Sequence, residues 1–424
     1  MIHLYDYLKG SEDILYKKGV SGMISLEEAK ALIIDSVKVQ QCEEVDILEG
    51  RRRILGEDIV SPIDSPPFDR SPLDGYAVRS EDLSLASEGN PITFKVIDKI
   101  YAGYVSSKTI GPFEAVRIMT GAKLPNGADT IVRQEVVEVL DENIVNISVK
   151  QEHNENVIFK GEDFRKGTLI LEKGVMLNSS ELTAIASLGI RKVKVYKKPV
   201  VAIITTGDEL QNPGESLGEG KIYNSNRIFL KTRLEELGCE ALFFDSVCDS
   251  EEKIIELVKK AEEQADILIS TGGVSVGEKD IVQESVKKVG YKVLFWKVDI
   301  KPGSPMFAAI SPQNKLYVGL SGTPVAAATT FELTVRGAIS KMLGSKELEL
   351  KEVDGILQDE FLKISKKRRF LRVYLEESYE NKVYINKAYQ SPGQIHTMLN
   401  SNAILEVPKS TKLEKNTKVK LYKL

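Results

Sequence analysis

The chain has 424 residues, a formal charge of −4, and 42% hydrophobic against 28% charged residues. At roughly 100–200 residues per domain this is a soluble protein of two to four domains. Its slight acidity gives no general pull toward nucleic acid or an anionic membrane, no run approaches ~18 apolar residues, and three cysteines without a CxxC pair argue against a disulfide framework or a cysteine zinc site.

The first 19 residues carry acids and lack a long apolar core, unlike a signal peptide. With cysteines suited to a reducing compartment, this points to the cytoplasm. Ser25, with Glu28 three residues on, reads as a capping box opening a helix over Ser25–Asp35. Leu26, Ala29, Ile33 and Val37 are its apolar positions. A second short helix is expected over Val45–Leu55. SPIDSPPFDRSPLDGYAV (61–78) is too rich in proline for a helix and reads as an ordered loop or boundary.

From Ile92 to Val149, short β-branched runs between glycines and prolines predict a small all-β module. A helix is expected at Ser179–Leu188. Beyond Pro199 the pattern changes. KPVVAIITTGDEL, EALFFDSV, ADILISTGG and KLYVGLSG are apolar strands. They alternate with helices expected at Asn226–Leu237, Glu251–Gln264, Asp280–Val289 and a long one running to Leu343. Such alternation predicts a parallel, doubly wound α/β sheet. After Leu343, short strands separated by turns predict a small C-terminal β-barrel or sandwich.

Ligands of an open parallel sheet bind beyond the carboxyl ends of its strands. Three apolar strands here end in small polar residues: TTGDEL with Thr206 and Gly207; STGGVSVGEKD with Ser270, Gly272, Gly273, Ser275 and Gly277; and GLSGTPVA with Ser321. Such loops make backbone nests for phosphate or another oxyanion; a tight strand–helix turn is the alternative. Neither GxxxxGK[ST] nor GxGxxG is present. Glu209 and Asp280 at these strand ends suit Mg²⁺ beside phosphate, or serve as first-turn helix acids. In WKVDIKPGSPMF, Pro302 and Pro305 hold Lys301 as a point-charge anchor, with Lys297 nearby, unless these lysines are merely solvated. RRFLRVYL (368–375) offers a further arginine. His3, His153 and His396 are scattered, with no triad or zinc spacing.

PPFDRSPLDGYAVRSED resembles the molybdopterin molybdenumtransferase family, MoeA, to which the E domain of gephyrin is related. RIMTGAKLPNGADTIVRQE, KGEDFRKG, TTGDEL, KIYNSN, STGGVSVGEKD, FWKVDIKPGSP, GLSGTPVAA, FLRV and SPGQIHTMLNSNA are similar to that family's blocks, in its order, along essentially the whole chain. The resemblance implies an elongated N-terminal domain (1–60 and 150–197), an inserted β domain (61–149), an α/β pterin-binding domain (198–345) and a C-terminal β-barrel (346–424). It implies a homodimer that joins molybdate to adenylylated molybdopterin, releasing AMP and molybdenum cofactor. Transient contact with the molybdopterin adenylyltransferase and apo-molybdoenzymes is also implied.

Carried over motif by motif, Asp74, Thr120 and Asp163 line the catalytic cleft from the N-terminal side, and Glu209, Asp249 and Asp280 from the α/β side. Glu209 and Asp280 correspond to the metal ligands. Lys297, Lys301, Pro302, Ser321, Arg372 and Ser391 correspond to the molybdate region. The chain departs from the family at Ser321 and Thr323, where proline and asparagine are usual, at Ile158, where an arginine is usual, and at Pro72–Leu73 before Asp74. A pure scaffold, as in gephyrin's receptor clustering, and a nucleotide-pyrophosphate hydrolase like the CinA-like proteins are the competing readings. The lack of a long linker or extra partner domain argues against the first, and the whole-chain match argues against the second.

Overall fold

The computed structural model describes residues 23–245, 250–274, 281–386 and 390–424, in two compact units. One comprises residues 58–172 and 179–192; the other holds the rest of the chain. Among the described residues Cys42 and Cys239 are free, and no helix is long and apolar enough to cross a membrane.

Helix α1 (Leu26–Asp35) opens with the expected capping box: Glu28 N–H donates to Ser25 Oγ at 3.1 Å, and Ser25 N–H donates to Glu28 Oε2 at 2.9 Å. Two orphan donors of the first turn are thereby satisfied. Leu26, Ala29 and Ile33 are buried along one stripe. The helix expected over Val45–Leu55 is absent. A strand, Cys42–Asp46, runs there into a turn in which Arg52 takes φ +58°, and Ile54 and Leu55 enter isolated bridges to Met176 and Val195. Two consecutive apolar residues, both buried, suit extended backbone rather than a helix with one buried stripe.

In the 58–172 unit, six strands form one sheet: β1 (Gly75–Val78), β2 (Ile92–Ile100), β3 (Glu114–Ile118), β4 (Thr130–Arg133), β5 (Val137–Asp141) and β6 (Ile144–Ile147). Their spatial order is β4-β1-β3-β2-β6-β5, with only β2 and β3 parallel. Alternate residues feed two cores. Tyr76, Val78 and Val132 face one, while Ala77, Val116 and Ile131 face the other. Helix α2 (Ser179–Ser187) belongs to the same unit.

The larger unit contains β7 (Val200–Thr205), α3 (Ser225–Glu236), β8 (Glu240–Asp245), α4 (Glu251–Gln264), β9 (Ile267–Thr271), α5 (Ile281–Lys288), β10 (Lys292–Trp296), β11 (Phe307–Ile310) and β12 (Leu316–Leu320). The sheet order is β8-β7-β9-β12-β11-β10. The first four strands are parallel, as expected, and an antiparallel pair, β10 and β11, extends one edge. In β7, Val201 and Ile203 join Leu230 and Leu234 of α3 in one core; Ala202 and Ile204 join Ile254 and Val258 of α4 in the other. Burial on both faces explains the unbroken apolar runs in the sequence.

After β12 come α6 (Pro324–Thr330), a π-helical segment at Phe331–Val335 and α7 (Arg336–Met342). The last strands, β13 (Lys351–Leu357), β14 (Arg368–Glu376), β15 (Lys382–Ile385), β16 (Ala403–Val407) and β17 (Lys418–Lys423), close on themselves as β14-β15-β13-β17-β16-β14. Ile300–Lys301 adds alongside Arg368–Arg369 of β14. One core runs through α1, the α/β sheet, α6–α7 and barrel residues Phe370, Ile404 and Tyr422, which accounts for these parts forming one unit.

Candidate active site at the strand ends

The three loops singled out from the sequence leave β7, β9 and β12 side by side. Thr206 N–H donates to Thr271 O at 3.1 Å, and Gly272 N–H donates to Leu320 O at 3.3 Å. A Cβ on Gly272 would lie 2.5 Å from Thr206 O, and one on Gly322 would lie 3.4 Å from Gly272 Cα. Gly272 and Gly273 have φ of +92° and +63°. Only glycine takes such backbone at this separation without strain. The first turn of α3 ties the loops together: Asn224 Nδ2 donates to Thr205 Oγ1 at 2.8 Å and Asn226 Nδ2 to Gly322 O at 2.7 Å.

Thr206 is 3% exposed, with its hydroxyl facing Thr271 O at 3.4 Å. Ser270 is fully buried and lies beside the Tyr317 hydroxyl in the core, beneath the loops rather than among them. Gly207 has φ +146°, and a Cβ there would lie 2.5 Å from Glu209 Oε2. The Glu209 carboxylate thus folds back over a glycine that leaves it room. Glu209 is exposed and has no side-chain partner among the described residues. Ser275, Gly277, Asp249 and Asp280 lie outside the described residues. Among those described, no cluster of three or more histidine, cysteine or acidic side chains gathers. A single bare carboxylate beside glycine-bearing loops is nevertheless a donor of the kind Mg²⁺ takes, since that ion uses one or two carboxylates and fills its octahedron with phosphate and water oxygens.

The lysine–proline segment packs against α6. Gly303 has φ +87°, and a Cβ there would meet Thr330 Cγ2 at 2.2 Å. The Lys301–Pro302 peptide is cis. Lys301 is exposed, with no ammonium partner among the described residues. Lys297 has φ +72° and holds its ammonium 4.2 Å from the Trp296 ring centroid. Ser321 Oγ and Thr323 Oγ1 lie 3.1 Å apart, a hydroxyl pair at the mouth of α6. Thr323 occupies the N-cap position without capping by its side chain; Val325 N–H donates instead to Pro392 O at 3.0 Å, bringing the Ser391 loop to the helix start.

Arg372 of β14 is 4% exposed, and its Nε and Nη2 have no hydrogen-bond partner among the described residues. Burial pulls its pKa down to about 10, so it keeps its charge at neutral pH. Gln390, next to Ser391, clasps the Arg372 backbone: Nε2 donates to Arg372 O at 3.0 Å, and Oε1 accepts from Arg372 N at 3.3 Å. Glu332, 3% exposed, lies between Arg233 (2.6 Å) and Arg336 (3.1 Å). Its charge favours the ionised form of Arg372. This cluster escaped the reading from sequence. Its signal was one acid inside the apolar run TTFELTV.

In the other unit, Asp74 Oδ1 accepts from Thr120 N at 2.8 Å and Thr120 Oγ1 at 2.7 Å. These bonds, the backbone one first, hold the Asp74 carboxyl below its ordinary range. Pro72 and Leu73 sit in a turn closed by Ser71, whose Oγ donates to Leu73 O at 2.5 Å. Asp163 is exposed, its N–H donating to Ser65 O at 2.9 Å. Ile158 exchanges two backbone bonds with Arg70, and Lys160 pairs with Asp64 at 3.3 Å. Lys160 is thus already engaged within its own loop.

Comparison with known proteins accounts for nearly the whole chain. Residues 24–189 match the MoeA N-terminal region (domain I and II), 202–341 a probable molybdopterin binding domain, and 354–424 the MoeA C-terminal region (domain IV). The chain is 38% identical over 385 residues to a molybdopterin molybdenumtransferase of Staphylococcus aureus strain Mu50, covering 91% of each protein. A Staphylococcus epidermidis relative of the same name is 38% identical over 390 residues, covering 92% of each. The crystal structure of a molybdopterin biosynthesis MoeA protein from Pyrococcus horikosii superposes with a TM-score of 0.79 at 32% identity, over 95% of this chain and 99% of that one.

Proposed function

The chain belongs to the molybdopterin molybdenumtransferase (MoeA) family, and from that premise we propose how its residues carry out this step of molybdenum cofactor biosynthesis. It is a transferase that takes adenylylated molybdopterin and molybdate, and gives molybdenum cofactor and AMP.

The observation that carries the residue-level reading is the meeting of three glycine-bearing loops beside a bare carboxylate, Glu209. The backbone around Gly207, Gly272 and Gly273 binds the phosphoryl oxygens. Glu209 would hold Mg²⁺, with Asp280 as the expected second carboxylate. Mg²⁺ in that position supplies neutralisation of charge on the phosphoryl oxygens.

Molybdate is drawn by Lys301, with Lys297, Pro302, Ser321, Arg372 and Ser391 around it. Lys301 is bare at the surface, and Arg372 is a buried cation short of a partner. Burying a charge without a partner is costly, so an incoming dianion offsets a penalty the fold already carries. Holding both substrates near the bond that breaks makes the insertion a local step. Asp74, Thr120, Asp163 and Asp249 are carried into this reading by the family's motifs. The working form in this reading is a cytoplasmic homodimer that meets the adenylyltransferase and apo-molybdoenzymes transiently.

The test incubates purified protein with adenylylated molybdopterin, Mg²⁺ and molybdate, and follows AMP together with loaded cofactor. Joint appearance of both products, lost on chelating Mg²⁺, supports the reading. AMP without loaded cofactor would mark a hydrolase, and full activity in chelator would remove the metal.

A further inference from the structure

We propose that Lys367, held on the Ser304 hydroxyl, is a second ammonium of the molybdate site, and that with Lys301 it makes the site selective for a tetrahedral dianion. This rests on the reading above in which Lys301 draws molybdate, and adds to it a residue outside the motifs that carry that reading.

Lys367 stands one residue before β14, and its ammonium turns onto the lysine–proline loop. Nζ donates to Ser304 Oγ at 2.7 Å, and Met23 Sδ lies 3.2 Å away. Ser304 Oγ gives its own proton to Val298 O at 2.8 Å, so a lone pair faces the ammonium. Val298 N–H in turn donates to Ser304 O at 3.0 Å, which closes residues 298–304 into one loop. The Lys367 backbone is fixed as well, its N–H donating to Ser365 Oγ at 3.1 Å. This half-buried ammonium thus has a hydroxyl and a thioether as its partners among the described residues. Both are neutral, and the thioether is a weak acceptor, so no opposite charge offsets the cost of drawing the cation out of water. An ammonium carries three donors, and these two partners use at most two of them.

The acids around the loop are committed to other cations. Asp299, the one acid between Lys297 and Ser304, forms an ion pair with Lys409. Glu27 of α1 and Glu406 of β16 both hold Arg368, at 2.6 and 2.9 Å. Lys301 is exposed, with no ammonium partner among the described residues. Ile300–Lys301 runs parallel to Arg368–Arg369, with Lys301 opposite Arg369. Lys367 lies two residues from that register, so its Cα is roughly 8 Å from that of Lys301 at ordinary strand spacing and rise. Two lysine side chains can close that span on one small anion. Two ammoniums on adjacent segments, with no carboxylate between them, repel each other. A dianion lying between them is drawn twice as strongly as a monoanion. Tetrahedral oxygens also give each ammonium its own charge-assisted acceptor.

The experiment measures cofactor loading against molybdate concentration, with sulfate, a tetrahedral dianion, and perchlorate, a tetrahedral monoanion, as competitors. Lys367→Met keeps an unbranched chain without its charge. It should raise the molybdate concentration for half-maximal loading about tenfold or more, while loading at saturating molybdate and the melting temperature are retained. Sulfate should compete better than perchlorate against wild type, and the gap should narrow in the variant. Lys367→Arg, which keeps the charge, should recover most of the loss. Ser304→Ala should weaken molybdate use in wild type and add nothing in the Lys367→Met background. An unchanged half-maximal concentration in Lys367→Met, or a loss of saturated loading that tracks a fall in melting temperature, overturns the role of Lys367. Lys301→Ala tests the premise separately. If it raises the half-maximal concentration and Lys367→Met does not, the molybdate site stands without this second ammonium. If neither variant moves it, the premise fails and this inference fails with it.

Discussion

Two strand-end turns, one at Asp74 and one at Glu209, present acids that the sequence marks alike and the fold treats in opposite ways. Asp74 gives one carboxylate oxygen to both the N–H and the O–H of Thr120. Glu209 has no side-chain partner among the described residues. The neighbouring glycines differ in the same sense. A Cβ at Gly75 would lie 2.2 Å from Val132 O, which is backbone of the paired strand. The nearest atoms to a Cβ at Gly207 would be those of the Glu209 carboxylate. The first glycine serves strand packing, and the second clears space for a functional group. An acid bonded to its own turn braces that turn through the oxygen it uses, whereas one with neither oxygen bonded is available to a ligand.

The largest effect should come from Glu209→Gln. Removing the charge while keeping the shape should cut AMP release by about 100-fold or more and leave thermal unfolding unchanged, since the fold spends no bond on this carboxylate. Retained, Mg²⁺-dependent turnover in the variant would show that Glu209 is bare for some other reason. A fall in melting temperature would show that it was a brace after all.

Arg372→Met sharpens the contrast from a buried position. The wild-type guanidinium is enclosed with two nitrogens unpaired. A methionine of similar length should raise stability by about 1–3 kcal/mol, read by denaturant unfolding. The molybdate concentration for half-maximal loading should rise at least tenfold, with AMP release little changed. A destabilised variant with normal molybdate use would mean that Glu332 already balances Arg372 and that the cluster is structural.

Sequence made the architecture readable where pattern is local. The α1 capping box, the apolar runs of β7, β9 and β12, and the glycines after them all appeared where periodicity and turn chemistry put them. It misled at Val45–Leu55, because Ile54 and Leu55 are buried by bridges to Met176 and Val195, partners over a hundred residues away. It also missed the antiparallel edge formed by β10 and β11, since the lysine–proline segment between them reads as a loop in isolation. Within the site, residue type was legible and environment was not. Ser270 and Thr271 are adjacent polar residues, yet strand alternation sends the Ser270 hydroxyl into the core beside Tyr317. The Glu332–Arg233–Arg336 cluster depends on α3 packing against the helix after β12, which no spacing encodes.

The smallest expected effect is at Asp74, and pH isolates it. Hydrogen bonds from Thr120, backbone N–H first, lower the folded-state pKa of Asp74. A depressed carboxyl adds stability above its unfolded value, about 3.9, and loses that contribution as pH falls through the folded value, which is lower still. Asp74→Asn keeps an oxygen that accepts from Thr120 but makes it neutral, weakening two charge-assisted bonds. At pH 7 the Thr120 amide should exchange its hydrogen a few-fold faster in the variant than in wild type, by an amount this exposed pair limits. Compared at matched pH, the difference should close only as acid takes the wild-type carboxyl through its lowered folded-state pKa, below the ordinary carboxylate range. A difference that persists unchanged once the wild-type carboxyl is protonated would place the effect in side-chain shape rather than charge. Equal protection at pH 7 would mean that Asp74 does not brace this turn, and its contrast with Glu209 would then be one of degree.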